Sequence, residues 1–291
     1  MTLRAARTVV SILRDTIANW IANDAPQMGA ALAYYFIFSV GPALVLSVTV
    51  AGSFLGEEAV REQVVGEFRS LIGADGARVI ELLMVSVNRT QSSTLAIVIG
   101  TFTLVFAASG VVFQLKSALN RIWQVVLPSG VIRHWLRGYL ISLTIILGLS
   151  ALLVVAVVTS TGIAFLGKYI PVALPAFGSR AMNVLTSLAI FALVFAMTFK
   201  WLPDTFVAWR DVWVAAIVTS LLFELGRLAI GFYIGTRGIA SAYGAAGSLV
   251  VLLVWVYYSA QIIFFGAELA YVLARRRNER DLAAAAKPSG G

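Results

Sequence analysis

Apolar residues fill this chain in long, nearly uninterrupted blocks, and short stretches between them hold most of the charge. A helix needs about 20 apolar residues to cross the hydrocarbon core of a bilayer. Six windows reach that length, at roughly 29–55, 94–115, 139–165, 181–200, 212–234 and 245–272, each rich in Leu, Val, Ile, Ala and Phe. The pattern predicts an all-α integral membrane protein with six transmembrane helices. Two segments follow a different rule. Over residues 1–24, Leu3, Ala6, Val10, Leu13, Ile17 and Trp20 recur at alternating spacings of three and four, with Arg4, Arg7 and Arg14 on the other side. That predicts an amphipathic helix within 1–28. It either lies on an anionic membrane surface with Trp20 at headgroup depth or packs on the cytoplasmic ends of the bundle. A secretory signal would show a basic start, an apolar run and a small-residue cleavage site, and this segment does not.

The second exception is 56–93, between the first two windows. It carries Glu57, Glu58, Glu62, Glu67, Asp75 and Glu81 among apolar residues at helical spacing, such as Val60, Val64, Phe68 and Ile72. Two short amphipathic helices are predicted, broken near Gly73-Ala74-Asp75-Gly76. They lie over the outer face either as a lid or as a cap on the bundle.

Composition narrows the class further. The chain has 291 residues, of which 60% are hydrophobic and only 12% charged, against a usual charged share of about 25%. A soluble domain of this size needs a polar surface that such a chain cannot supply. Ordinary cytosolic enzymes, disordered chains and nucleic-acid-binding modules are therefore excluded, and no nucleic-acid partner is expected. The net charge of +8 instead fits the Lys and Arg excess of cytoplasmic loops. Fourteen Lys and Arg fall on the side of the N-terminus, the loops after windows two and four, and the 273–291 tail; seven fall on the other. Both termini are thus expected in the cytoplasm. The basic clusters Arg133, Arg137 and Arg275 to Arg277 would suit anionic lipid headgroups, although orientation alone requires them. Trp123, Trp135, Trp201, Trp209 and Trp213 sit near the same ends, as an aromatic belt would. With zero cysteines, disulfides and thiolate sites are excluded. A homo-oligomer is open.

Polar residues inside the windows are the candidates for function, because charge is costly there and usually faces a cavity or a partner. Glu224 is the deepest acid, and Arg227 shares its helix face at i, i+3. The pair reads either as a gate, proton site or headgroup contact, or as an ion pair locking helices together. Glu268 and Gln261 lie in the last window, and the expected partner of Glu268 is Lys116 or Arg121 at the end of the second. Pro42, after Gly41, is a hinge candidate in the first. The small residues of Ala107-Ala108-Ser109-Gly110 and Gly244-Ala245-Ala246-Gly247-Ser248 permit close helix approach. No nucleophile–base or metal constellation is visible, so no catalytic residue, metal or cofactor is expected.

Four segments carry a resemblance. They are Gly29-Ala30-Ala31-Leu32-Ala33-Tyr34-Tyr35 with Ser39 and Pro42; Ala108-Ser109-Gly110-Val111 leading to Ala118-Leu119-Asn120-Arg121-Ile122-Trp123; Leu202-Pro203-Asp204 with Trp209-Arg210; and Tyr243-Gly244-Ala245-Ala246-Gly247-Ser248 with Trp255 and Gly266-Ala267-Glu268-Leu269. In order and spacing they resemble the YihY/BrkB family of bacterial inner-membrane proteins, long labelled ribonuclease BN-like. The resemblance implies a multi-pass protein of the bacterial inner (plasma) membrane, with six helices, both ends cytoplasmic and a role in the cell envelope. It adds Asn120 and Asp204 to Glu224, Arg227, Glu268 and Lys116 as transport or gating candidates, although helix capping also explains those two. The ribonuclease label finds little support: the one histidine, His134, sits in a basic loop, and a metal-dependent nuclease needs clustered carboxylates. Two readings remain, a transporter or translocator of an ion, small solute or lipid, and a non-catalytic envelope scaffold.

Overall fold

A computed structural model describes residues 2–87, 94–125, 144, 176–237 and 247–285. Every element in those stretches is an α-helix. In chain order they are α1 (Thr2–Ala22), α2 (Ala25–Leu55), α3 (Glu57–Val87), α4 (Thr94–Ile122), α5 (Ala176–Trp201), α6 (Trp209–Arg237) and α7 (Gly247–Ala285). Five of the six apolar windows correspond to α2, α4, α5, α6 and α7; the third, 139–165, lies outside the described residues but for one. Among the described residues, three helical stretches are long and apolar enough to cross a membrane, Ala25–Leu55, Trp209–Ala229 and Leu249–Ala284. The last continues past its window to Ala285, so the basic segment that follows the window is helical too.

The bundle wears its apolar residues outside as well as inside. Leu185, Leu225 and Leu228 are each more than 60% exposed, on helices whose opposite faces bury Phe195, Phe199, Ala215 and Phe223. Water would penalise such a belt, and hydrocarbon would not.

Two corners set the geometry near the N-terminus. Between α1 and α2, Asp24 takes a left-handed conformation (φ 54, ψ 41), which Asp tolerates better than most side chains. Pro26 follows at the start of α2, where its missing N–H costs nothing. The α2–α3 corner turns at Gly56, with φ 91, and its N–H closes onto the Gly52 carbonyl at 2.8 Å. A Cβ on Gly52 would stand 2.9 Å from the Cα of Glu57, so the tightness of this corner needs glycine on both sides of the bend.

Although α3 is helical from end to end, it is not straight. Arg61 and Glu81 form an ion pair at 3.8 Å, whereas a straight helix would hold residues twenty apart about 30 Å from each other. The element therefore folds back on itself between them, where the sequence places Gly73-Ala74-Asp75-Gly76. In place of the two separate helices expected, the structure has one continuous helical element, Glu57–Val87, bent into two arms. Val60 and Val64 from one arm and Ile80 and Met84 from the other join one core with Val40, Leu44 and Val48 of α2 and Leu252 and Val256 of α7.

A second core lies further along α7. Phe264, Ala267 and Ala270 pack there with Met28, Leu119, Ile122, Phe199 and Val212. The helix α7 thus runs through both cores and touches each of the other described helices. Small residues allow the close crossings. A side chain at Gly110 of α4 would press on Ser39 and Tyr35 of α2, at 3.0 and 3.2 Å.

Candidate functional site

On α4, Lys116 and Asn120 are one turn apart and share a face; each is only 4% exposed. The connection from α5 to α6 brings Asp204 over that face. The Lys116 ammonium stands 2.9 Å from Asp204 Oδ2. Asn120 donates from Nδ2 to the same oxygen at 3.0 Å and accepts, through Oδ1, the backbone N–H of Asp204 at 2.8 Å. A buried cation is thereby neutralised, and a side-chain amide matches both groups of one residue. The connection is braced by Lys200, which donates to the Val207 carbonyl and lies 4.2 Å from the centre of the Phe206 ring.

Glu268 on α7 is fully buried. Its Oε1 accepts from Asn23 Nδ2 at 2.6 Å, while Oε2 has no hydrogen-bond partner among the described residues. The expected pairing of Glu268 with Lys116 or Arg121 is not what the structure forms. Lys116 is held by Asp204, and Arg121 pairs with Asp24 at 2.8 Å. The α1–α2 corner is the reason: its adjacent residues reach two helices at once, Asn23 to α7 and Asp24 to α4. Two turns back on α7, Gln261 donates to the Ala25 carbonyl at 3.3 Å, so the same corner is held twice by one helix face.

Past Glu268, one arginine of α7 pairs within its own helix and the next two reach other helices. Arg275 pairs with Glu279 at 3.0 Å, Arg276 with Asp15 and with Ser11 Oγ of α1, and Arg277 with Asp211 at 2.7 Å. The Arg276 guanidinium holds the Asp15 carboxyl below its ordinary value of 3.8. A carboxylate whose folded-state pKa is depressed contributes stability above its ordinary pKa and loses it as pH falls through the folded value. Hydrogen–deuterium exchange of α1, corrected for its intrinsic pH dependence, should therefore be unchanged from about pH 8 to 5 and speed up below about pH 4. A profile flat through acid would show that this pair does not hold the helix.

A separate polar site lies in the middle of α6. Glu224 is 7% exposed and pairs with Arg227 of the same helix. Glu224 Oε2 and Arg227 Nε are buried without a hydrogen-bond partner among the described residues. Tyr258 of α7 crosses directly over Gly226, so closely that any side chain there would overlap its ring. Asp211, near the start of the same helix, is about 20 Å away along the axis. The structure thus divides the sequence candidates. Lys116, Asn120 and Asp204 form one cluster, Glu268 sits with Asn23 at the same end of the bundle, and Glu224 with Arg227 stands apart. Pro42 lies inside an unbroken α2, roughly 25 Å along the helix from Ala25. Sequence reasoning missed Asn23, Asp24 and Tyr258. An Asn-Asp pair just before Pro26 is a turn signal that marks the first two, whereas nothing local distinguishes Tyr258. Among the described residues, no three His, Asp or Glu gather as a metal site would require. His134 lies outside them.

Three of the resembling segments, those containing Asn120, Asp204 and Glu268, thus meet at one end of the bundle. The family described as Virulence factor BrkB matches residues 16–290, a stretch that includes all three. The chain is a member of the BrkB family. Its curated relatives include UPF0761 membrane proteins of Ralstonia nicotianae, 26% identical over 258 residues covering 86% of this chain and 56% of the relative, and of Psychrobacter, 27% identical with 91% and 49% covered. Another, from Pseudomonas aeruginosa, is 26% identical with 92% and 64% covered. This BrkB chain thus spans about half to two-thirds of their length. No solved structure matches it. The names of these relatives state a membrane protein and no reaction.

Proposed function

We propose that this BrkB-family membrane protein is a six-span transporter or translocator of the bacterial inner membrane, with both termini in the cytoplasm. The twofold excess of Lys and Arg on one side supports the orientation, and six spans are the even number that the windows supply. One observation carries the transport reading. Glu224 and Arg227 sit at mid-length in an apolar helix, and each keeps a buried polar atom without a hydrogen-bond partner among the described residues. Such atoms are costly in a membrane interior and are expected where a polar cargo, an ion or a lipid headgroup passes. A rigid scaffold would be expected to satisfy them internally.

Flux in proteoliposomes tests this. Wild type beside Glu224→Gln, each carrying a pH dye and in parallel a fluorescent phospholipid reporter, separates ion exchange from lipid movement. The expected result is at least about a tenfold loss of gradient-driven flux, equivalent to about 1.4 kcal/mol of barrier, in a variant that still elutes as folded protein. No flux above empty liposomes in wild type, with the variant poorly folded, would favour the envelope scaffold instead.

A further inference from the structure

The helix α1 presents three different sides. Ser11, Ile12, Asp15 and Thr16 face the bundle: Thr16 is fully buried, Ile12 packs on the core, and Ser11 and Asp15 are held by Arg276. On the adjoining side, Val9, Val10, Leu13, Ile17 and Ile21 form a continuous stripe, each between 41% and 64% exposed. At roughly 100° per residue, Arg7 and Arg14 fall together on the far border of that stripe, two turns apart. Both are exposed, Arg14 by 82% of its side chain with only a 3.7 Å approach to Asp15. A helix docked by its polar side that leaves its apolar side uncovered is the reverse of a helix packed for burial.

The depth of α1 is fixed by what holds it. Arg276 grips α1, and the next residue, Arg277, grips Asp211, which lies between Trp209 and Trp213. Those two and Trp201 are 42–63% exposed, with their rings in contact in a row, as tryptophans gather at headgroup level. The stripe therefore sits at the depth where the apolar core of a bilayer gives way to phosphate.

We infer that α1 is a lipid-reading helix: Val9, Val10, Leu13, Ile17 and Ile21 enter the acyl boundary, and Arg7 and Arg14 hold the phosphates of anionic lipids. Arg276 and Arg277 are engaged with other helices of the protein, whereas Arg7 and Arg14 border the apolar stripe and face outward. The inference is independent of whether the bundle moves a cargo.

The chain has no cysteine, so single labels can be placed without background. The full chain is labelled with an environment-sensitive fluorophore at Leu13→Cys or at Ala18→Cys, an exposed position off the stripe, and reconstituted into two kinds of vesicle. One is phosphatidylcholine alone and the other phosphatidylcholine with phosphatidylglycerol, both carrying a nitroxide quencher at the acyl boundary. Quenching at position 13 should exceed that at position 18 severalfold and rise further with phosphatidylglycerol. Arg7→Gln with Arg14→Gln should remove that rise and leave the phosphatidylcholine value unchanged, and added salt should act as the double substitution does. Equal quenching at the two positions would overturn the inference. So would protection of position 13 that grows with the protein-to-lipid ratio, which would make the occupant a second copy of the chain. A rise with phosphatidylglycerol that survives loss of both arginines would overturn the headgroup assignment.

Discussion

Asp204→Ala is expected to cost about 3–5 kcal/mol of stability, because it leaves the Lys116 ammonium buried without a counter-charge. The ion pair is at 2.9 Å, with side chains 5% and 16% exposed, so water cannot readily take the place of the lost carboxylate. Asn120 loses an acceptor in the same step, and the α5–α6 connection keeps only its backbone bond to Asn120 and the Lys200 brace. The measurement is the unfolding midpoint in detergent by intrinsic fluorescence, wild type beside variant. The same physics gives an internal check. Lys116→Met combined with Asp204→Leu removes both charges and should recover most of the loss, since replacing a buried pair by apolar groups is often close to neutral. If Asp204→Ala costs under about 1 kcal/mol, the pair behaves as a solvated one, and the cluster is not the clamp described above.

Glu268 should separate shape from charge. Glu268→Ala is expected to cost about 3 kcal/mol, from the cavity in a fully packed site and from the unpaired Asn23 amide. Glu268→Gln keeps the volume and the acceptor for Asn23, and brings its new donor to the side where Oε2 has no protein partner. Its cost should stay below about 1 kcal/mol. The two variants are compared by the same unfolding midpoint, with exchange protection at residues 20–28 as a second readout of the corner. A Gln variant as damaged as the Ala variant would mean that the negative charge itself is needed, and that the site has a cation that these contacts do not reveal.

Much of the fold was legible because the bilayer imposes so simple a rule on sequence. Long apolar runs mark helices, and the windows at 29–55, 181–200 and 212–234 fall inside α2, α5 and α6. The turn-back of α3 was legible in part: the expected interruption is absent, and the helix bends without breaking. Glycines and an acid at 73–76 weaken the helix there, while Val60, Val64, Ile80 and Met84 hold the arms to one core. The candidate site was legible in its parts and not in its pairing. Hydropathy singles out Glu268 and Lys116 as anomalies but carries no information about which anomaly meets which. That depends on the corner at Asn23-Asp24, where one left-handed residue sends adjacent side chains to different helices. The same corner accounts for the one mistaken pairing, since it supplies Asn23 to Glu268 and Asp24 to Arg121. Trp20 and Trp123 show a similar limit. Sequence position gives them no packing partner, whereas in the structure Trp20 packs on the core and Trp123 stands edge-on to Tyr271 at 5.7 Å between centroids.

The contacts between α1 and α7 also have a consequence in time. Asn23 and its partner Glu268 are 245 residues apart in the chain, and Asp15 and Arg276 are 261 apart. At a synthesis rate of about 5–20 residues per second, the N-terminal helix waits roughly 10–50 s for its docking site to leave the ribosome. Closure of the first helix onto the last is therefore a late step of biogenesis, open only after the intervening helices have been made. On the six-span reading proposed above, a chain that inserts one span too few would carry the end of α7 to the opposite side of the bilayer and leave Asp15 and Asn23 without the partners Arg276 and Glu268. The cell's membrane proteases would meet that chain with an unlatched N-terminal helix, the ordinary substrate of quality control.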